Sequence, residues 1–137
     1  MIGFTCGSFD LLHTGHVLMF EECKSKCDYL IVGLQTDPSI DRSYKRKPTQ
    51  SIYERWVQLS AIKYIDEIIP YDTEQSLSDM LESIEIDIRF IGNDHKGKHF
   101  TGSYLPIDIY YNKREHRFST TEILERIKNG NNSDTLL

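Results

Sequence analysis

The chain has 137 residues and a formal net charge of −5, with 39% apolar and 27% charged residues. That is enough for one globular domain with a single core, and its acidic surface as a whole does not attract nucleic acid or anionic membrane. No apolar run is long enough to span a bilayer and the start of the chain does not read as a secretory signal, so a cytoplasmic setting is expected.

Residues 2–6 read as a short buried strand that Gly7-Ser8-Phe9-Asp10 breaks. From about Gly15 to Cys27 the pattern is helical, with Val17, Phe20, Cys23 and Cys27 inward. Tyr29 to Leu34 is a nearly continuous apolar run, the mark of a strand covered on both faces. Thr36 to Gln50 is a polar, basic loop with one helical turn after Asp37-Pro38, in which Arg42, Lys45, Arg46 and Lys47 fall within six residues. A local basic cluster on an acidic chain suits a small phosphate-bearing ligand, or else is simply a solvated loop.

Ser51-x-x-Glu54 is a capping box that starts a helix, with Trp56, Leu59 and Lys63 at helical spacing and Val57, Ala61 and Tyr64 beside them. Trp56 is read as packing. Asp66 to Pro70 is a strand closed by proline, and Leu77, Met80, Leu81 and Ile84 mark an amphipathic helix. Ile86 to Gly92 is the next strand, a polar loop runs to Tyr104, and Ile107 to Tyr111 is the last strand. Ser119-x-x-Glu122 is a second capping box, opening a helix with Ile123, Leu124 and Ile127. One domain over residues 1–128 and a frayed tail over 129–137 are expected. Cys6, Cys23 and Cys27 cannot all pair and are expected as reduced thiols.

Alternating strands and helices favour an α/β sandwich around a parallel sheet with right-handed crossovers. The polar segments 7–16, 36–50, 92–103 and 112–121 all follow strands, so they can converge on one cleft at the carboxyl edge. There is no G-x-x-x-x-G-K-[ST] loop and no G-x-G-x-x-G turn. The first turn instead holds His13-Thr14-Gly15-His16, whose two histidines share one face of a helical turn. Imidazoles beside unpaired amides at a helix N-terminus make an anion site, and Gly15 leaves room for a ligand. The same spacing also fits two surface histidines or a metal pair, with His95-x3-His99 and Cys23-x3-Cys27 as weaker metal candidates.

Gly7-Ser8-Phe9-Asp10-Leu11-Leu12-His13-Thr14-Gly15-His16 resembles the signature of the HxGH cytidylyltransferases, nearest the glycerol-3-phosphate cytidylyltransferases. The likeness extends through Asp28-Tyr29-Leu30, Thr36-Asp37, Lys45-x-Lys47-Pro48, Tyr64 to Pro70, Gly92-Asn93-Asp94 and Arg114-x4-Ser119-Thr120-Thr121. It implies a three-layer Rossmann-like sandwich with a five-stranded parallel sheet. It also implies a reaction in which an acceptor phosphate oxygen attacks the α-phosphorus of CTP, or of ATP, and pyrophosphate leaves. With glycerol 3-phosphate as acceptor the product would be CDP-glycerol.

By the same resemblance, His13, His16, Lys45 and Arg114 are the expected catalytic groups. Ser8, Phe9, Gly15, Lys47, Asp94, Ser119, Thr120 and Thr121 join Arg114 in nucleotide binding, and Lys45 and Lys63 meet the acceptor. Asp10 is read as a turn cap. Mg²⁺ is expected with the triphosphate, held mainly by substrate oxygens, and a homodimer is expected. The chain departs from the pattern at Arg117 in place of a glycine, at Lys63 in place of an arginine, and at Tyr71–Leu77, where a tryptophan and lysines are missing. These changes touch the acceptor side more than the triphosphate side, which keeps a sugar phosphate or another small phosphorylated acceptor open. A non-catalytic flavodoxin-like module is the rival of another class, but the acidic set it would need is poorly supplied by 6–9 and 70–72.

Overall fold

A computed structural model describes residues 1–130; the expected tail lies outside the described residues beyond Gly130. Five strands form one sheet: β1 (Ile2–Gly7), β2 (Tyr29–Gln35), β3 (Glu67–Tyr71), β4 (Ile88–Gly92) and β5 (Asp108–Asn112). Four helices connect them or follow them: α1 (Thr14–Ser25), α2 (Ile52–Ser60), α3 (Glu74–Ser83) and α4 (Thr120–Lys128). Every pair is parallel and the order is β3-β2-β1-β4-β5. The strand order therefore reverses between β1 and β4, where a cleft opens at the carboxyl ends.

Alternation along β2 separates two cores. Leu30, Val32 and Leu34 pack with Phe20 and Cys23 of α1 and Leu59 of α2, while Ile31 faces Phe4, Tyr71 and the α3 residues Leu77 and Leu81. Helices thus cover both faces, as the unbroken apolar run of β2 predicts. Pro70 pairs with Leu34 inside β3 rather than closing it, which is tolerated because β3 is an edge strand.

Each helix has a side-chain cap. Ser51 and Glu54 form the expected reciprocal box on α2. Ser119 accepts from the Glu122 amide at 3.1 Å, but the Glu122 carboxylate turns to Arg126 at 3.7 Å, so that box is one-sided. Thr73 with Ser76 caps α3, a pairing outside the Ser/Thr-x-x-Glu pattern.

The inward face of α2 differs from the expected one. The helix ends at Ser60, Arg55 and Leu59 are its buried residues, and Trp56 and Val57 are 44% and 43% exposed. The reason is Arg55, whose guanidinium turns the helix toward the loop carbonyls described below.

Candidate active site

The turn after β1 is backbone-strained and side-chain-anchored. Phe9 and Leu11 adopt φ of 49° and 53°, a region that non-glycine residues enter only under constraint. The constraint on Phe9 is its ring, buried 5.1 Å from Phe20 and 5.8 Å edge-on to His16. Asp10 then accepts from the amides of Thr49 and Gln50 at 2.8 and 2.9 Å. Burial works against its charge, but those amides and Arg46 hold its carboxyl below the usual range. It fastens the far end of the 36–50 loop to the turn, a longer-range role than the local turn cap expected.

His13 and His16 are themselves the cap of α1. His13 Nδ1 accepts from the Gly15 amide at 3.0 Å, and His16 Nδ1 accepts from the His13 amide at 3.1 Å. With both Nδ1 atoms accepting, the neutral rings carry their protons on Nε2. Burial, reinforced by His13, pushes His16 down to about 4, and burial with Arg114 and His116 also lowers His13. Near neutral pH the pair is therefore two N–H donors rather than two cations.

The start of α4 closes on the same place. A Cβ on Gly15 would stand 2.8 Å from both the Phe118 carbonyl oxygen and His13 Cε1, so the glycine is what lets the two helix starts meet. Arg114 Nη2 donates to that same carbonyl at 3.2 Å. A cleft of about 580 Å³ runs between them, lined by Phe9, His13, Gly15, His16, Asp94, Arg114, Ser119 and Thr120. Two helix N-termini, two imidazole donors and one guanidinium on one wall form a positive cradle for phosphates.

A second cleft of about 790 Å³ adjoins it, lined by Ser8, Arg42, Lys45, Arg46 and Arg89 among others. The two share Thr5, Cys6 and Gly92, at the ends of β1 and β4. The sequence reading of one convergent cleft therefore becomes two that meet at a seam. Lys45 and Arg46 project from the 36–50 loop, which Arg42 ties to Glu74 at 3.3 Å.

Three expected site residues are not brought to either cleft. Lys47 is exposed, and the charge it faces is that of Asp37. Thr121 is exposed one residue past the cleft-lining start of α4. Lys63 precedes β3, at the opposite end of the strands, with its Nζ 5.3 Å over the Tyr64 ring. Its likeness to the family pattern is linear and does not place it at the carboxyl edge.

Others line or build the site without having been singled out. Buried Arg55 donates to the carbonyls of Ser8, Gln35 and Thr36 at 2.9, 2.7 and 2.6 Å, joining the ends of β1 and β2. Glu22 of α1 collects the Tyr110 hydroxyl, the Asn112 amide and the Lys113 backbone N–H, fixing the chain beyond β5. His116 lines the first cleft, its Nδ1 accepting from Phe118 N at 3.1 Å. The metal candidates fare differently: burial raises the thiols of Cys23, to about 12, and of Cys27, away from the thiolate a metal needs. Among the described residues no group of three or more His, Cys, Asp or Glu side chains is gathered as a metal site.

A parallel sheet with its switch point at a phosphate cradle, beside a second cleft lined by basic residues, is the arrangement of a nucleotide-binding α/β protein. The family described as "Cytidylyltransferase-like" matches residues 4–126. The glycerol-3-phosphate cytidylyltransferase of Bacillus subtilis is 36% identical over 90% of this chain and 94% of its own length. The bifunctional protein HldE of Campylobacter jejuni is 35% identical over 93% of this chain, which spans only 28% of that relative. Among solved structures, a lipopolysaccharide core biosynthesis protein from Thermoplasma volcanium superposes with a TM-score of 0.60 at 22% identity, covering 94% of this chain and 87% of that one. The chain belongs to the cytidylyltransferase-like family.

Proposed function

We propose that the protein transfers a cytidylyl group from CTP to the phosphate of a small alcohol phosphate, with glycerol 3-phosphate as acceptor and CDP-glycerol as product. The observation that carries this is the seam: a phosphate cradle and a second basic cleft meet at Cys6 and Gly92, so two phosphorylated substrates can face each other there. The acceptor oxygen forms a bond to the α-phosphorus, the bond to the bridging oxygen breaks, and pyrophosphate carries away the electron pair. Such transfers need positioning and charge stabilisation rather than a protein nucleophile.

In this reading the triphosphate lies along the starts of α1 and α4. His13 and His16 direct Nε2–H donors at oxygens that gain charge in the transition state, and Arg114 pairs with the phosphates. Ser119 and Thr120 supply hydroxyls and amides, Asp94 approaches the sugar or base, and Lys45 meets the acceptor. Arg114 and the starts of α1 and α4 would hold the phosphates, and Mg²⁺ bound with the triphosphate would supply further positive charge there. A cytoplasmic homodimer goes with the family resemblance; sedimentation of the purified chain tests the dimer.

A second reading keeps the reaction and changes the substrates: a cytidylyl or adenylyl transfer to a sugar phosphate. It is favoured by the near-equal identity to the Bacillus enzyme and to HldE, 36% and 35%, and by the missing tryptophan and lysines after Pro70. Pyrophosphate release, measured for CTP and ATP against glycerol 3-phosphate and a set of sugar phosphates, decides between them. Formation of CDP-glycerol, identified by mass, supports the first reading. Turnover confined to a sugar phosphate overturns it.

A further inference from the structure

Arg89 is the second residue of β4, between Phe4 of β1 and Ile109 of β5. It is 4% exposed, on the sheet face that also buries Phe4, Leu77 and Leu81. A guanidinium is an expensive tenant there unless it is paired. Yet among the described residues no carboxylate pairs with it. The other arginines of the second cleft are matched: Arg42 with Glu74 at 3.3 Å and Arg46 with Asp10 at 3.6 Å.

The contacts Arg89 does make orient it without neutralising it. Nη1 donates to the Thr101 carbonyl, the Phe100 ring lies 5.0 Å from the guanidinium carbon, and Nε is buried with no acceptor. Gly102, at φ 83°, carries the backbone past so closely that a Cβ there would lie 3.0 Å from Nη1. Nη2 is 4.0 Å from Cys6 Sγ. Cys6 lines both clefts and Arg89 lines the second. A stacked, planar, uncompensated cation thus sits beside the seam, where an acceptor oxygen must approach the α-phosphorus.

The geometry points to Arg89 as the residue that grips the phosphate of the acceptor, an assignment that rests on the transfer reaction proposed above. A guanidinium fork matches a phosphate in two parallel hydrogen bonds, which a lysine cannot reproduce. The incoming dianion supplies the counter-charge that the folded chain lacks, and the fixed plane of the fork sets the direction of the attacking oxygen. Arg89 is therefore a specificity determinant: it selects monophosphate esters over the corresponding free alcohols.

The test uses the full chain with Arg89→Met and Arg89→Lys. Steady-state kinetics with CTP and glycerol 3-phosphate are run beside calorimetric titrations of CTP and of inorganic phosphate. Loss of one charge-assisted fork predicts a roughly 10–100-fold rise in acceptor KM and in phosphate Kd, with CTP affinity held within about twofold. Arg89→Lys recovers only part. A folded Arg89→Met protein with unchanged acceptor KM and phosphate Kd overturns the assignment and leaves Arg89 as a tie to Thr101. If glycerol 3-phosphate is not a substrate, the acceptor reading falls, while Arg89-dependent binding of inorganic phosphate still upholds the grip. Should both variants fail to fold, the Nε–H resonance of Arg89 in the unaltered protein decides: it shifts on phosphate titration, or, if it stays fixed to saturation, the assignment is wrong.

Discussion

Replacing His16 separates what its two nitrogens do. Nδ1 closes the α1 cap by accepting the His13 amide at 3.1 Å, and Nε2 is the atom left for the cleft. His16→Ala removes both, so it costs about 1 kcal/mol of stability for the cap and lowers turnover by roughly 10²–10³-fold for a lost transition-state donor. His16→Asn separates the two effects, because its side-chain oxygen occupies the Nδ1 position while nothing replaces Nε2. We expect Asn to restore the melting temperature and to leave turnover as low as in Ala. His16→Gln, which carries a donor at the Nε2 position, should recover part of the rate and little of the stability. Pyrophosphate release with saturating substrates, read beside thermal unfolding of the same preparations, gives both quantities. Full turnover in His16→Asn would refute the donor role, and a rate loss in Ala that merely tracks its unfolding would refute the separation.

The pH dependence of stability has a definite sign. His16 ionises near 6.5 in the unfolded chain and about 4 in the folded one, so the unfolded state binds more protons in that window and stability falls as pH falls through it. The full gap corresponds to about 3 kcal/mol; urea unfolding at pH 7 and pH 4 should show that difference against His16→Asn, and a pH-independent difference contradicts it. Gly15→Ala forces a Cβ to 2.8 Å from the Phe118 carbonyl; overpacking of about 1–3 kcal/mol should weaken CTP binding by calorimetry, and unchanged affinity would show that the α1 and α4 starts need not be so close. Arg55→Met strands the carbonyls of Ser8, Gln35 and Thr36, with a loss of at least about 3 kcal/mol in denaturant unfolding; a loss under 1 kcal/mol, roughly one ordinary hydrogen bond, would mean that water replaces the guanidinium freely.

Much of this architecture is legible in the sequence because it depends on local periodicity. The apolar run of β2 records burial on two faces, and the Ser51 box records a helix start. The His13–His16 spacing gave the anion site but not its protonation, since lowered basicity arises from burial that only folding creates. Arg55 and Arg89 were passed over for one reason: a lone arginine reads as surface, and nothing local signals that its partners are carbonyls or an arriving ligand. Trp56 and Lys63 fail in the opposite direction. An aromatic at helical spacing suggests core, yet Arg55 holds the inward face of α2. A basic residue matching a pattern suggests a ligand contact, yet which end of the sheet it occupies is settled by chain direction. Phe9 lines the cleft as a nucleotide contact would, while the positive φ of the turn sends its ring into the core, which no local pattern announces.

Arg55 also gives α2 a consequence beyond packing. One side chain spans the ends of two strands that are separated by an entire helix in sequence, so the sheet alone is not a binding surface. The Ser8 carbonyl finds its Arg55 donor only when α2 docks, so the cleft wall there and the helix form together. Its outer face carries Tyr53 and Trp56, 71% and 44% exposed. Those rings are held on the same helix whose Arg55 fixes the Ser8 carbonyl, so the exposed face of α2 and the turn ahead of both histidines share one anchor.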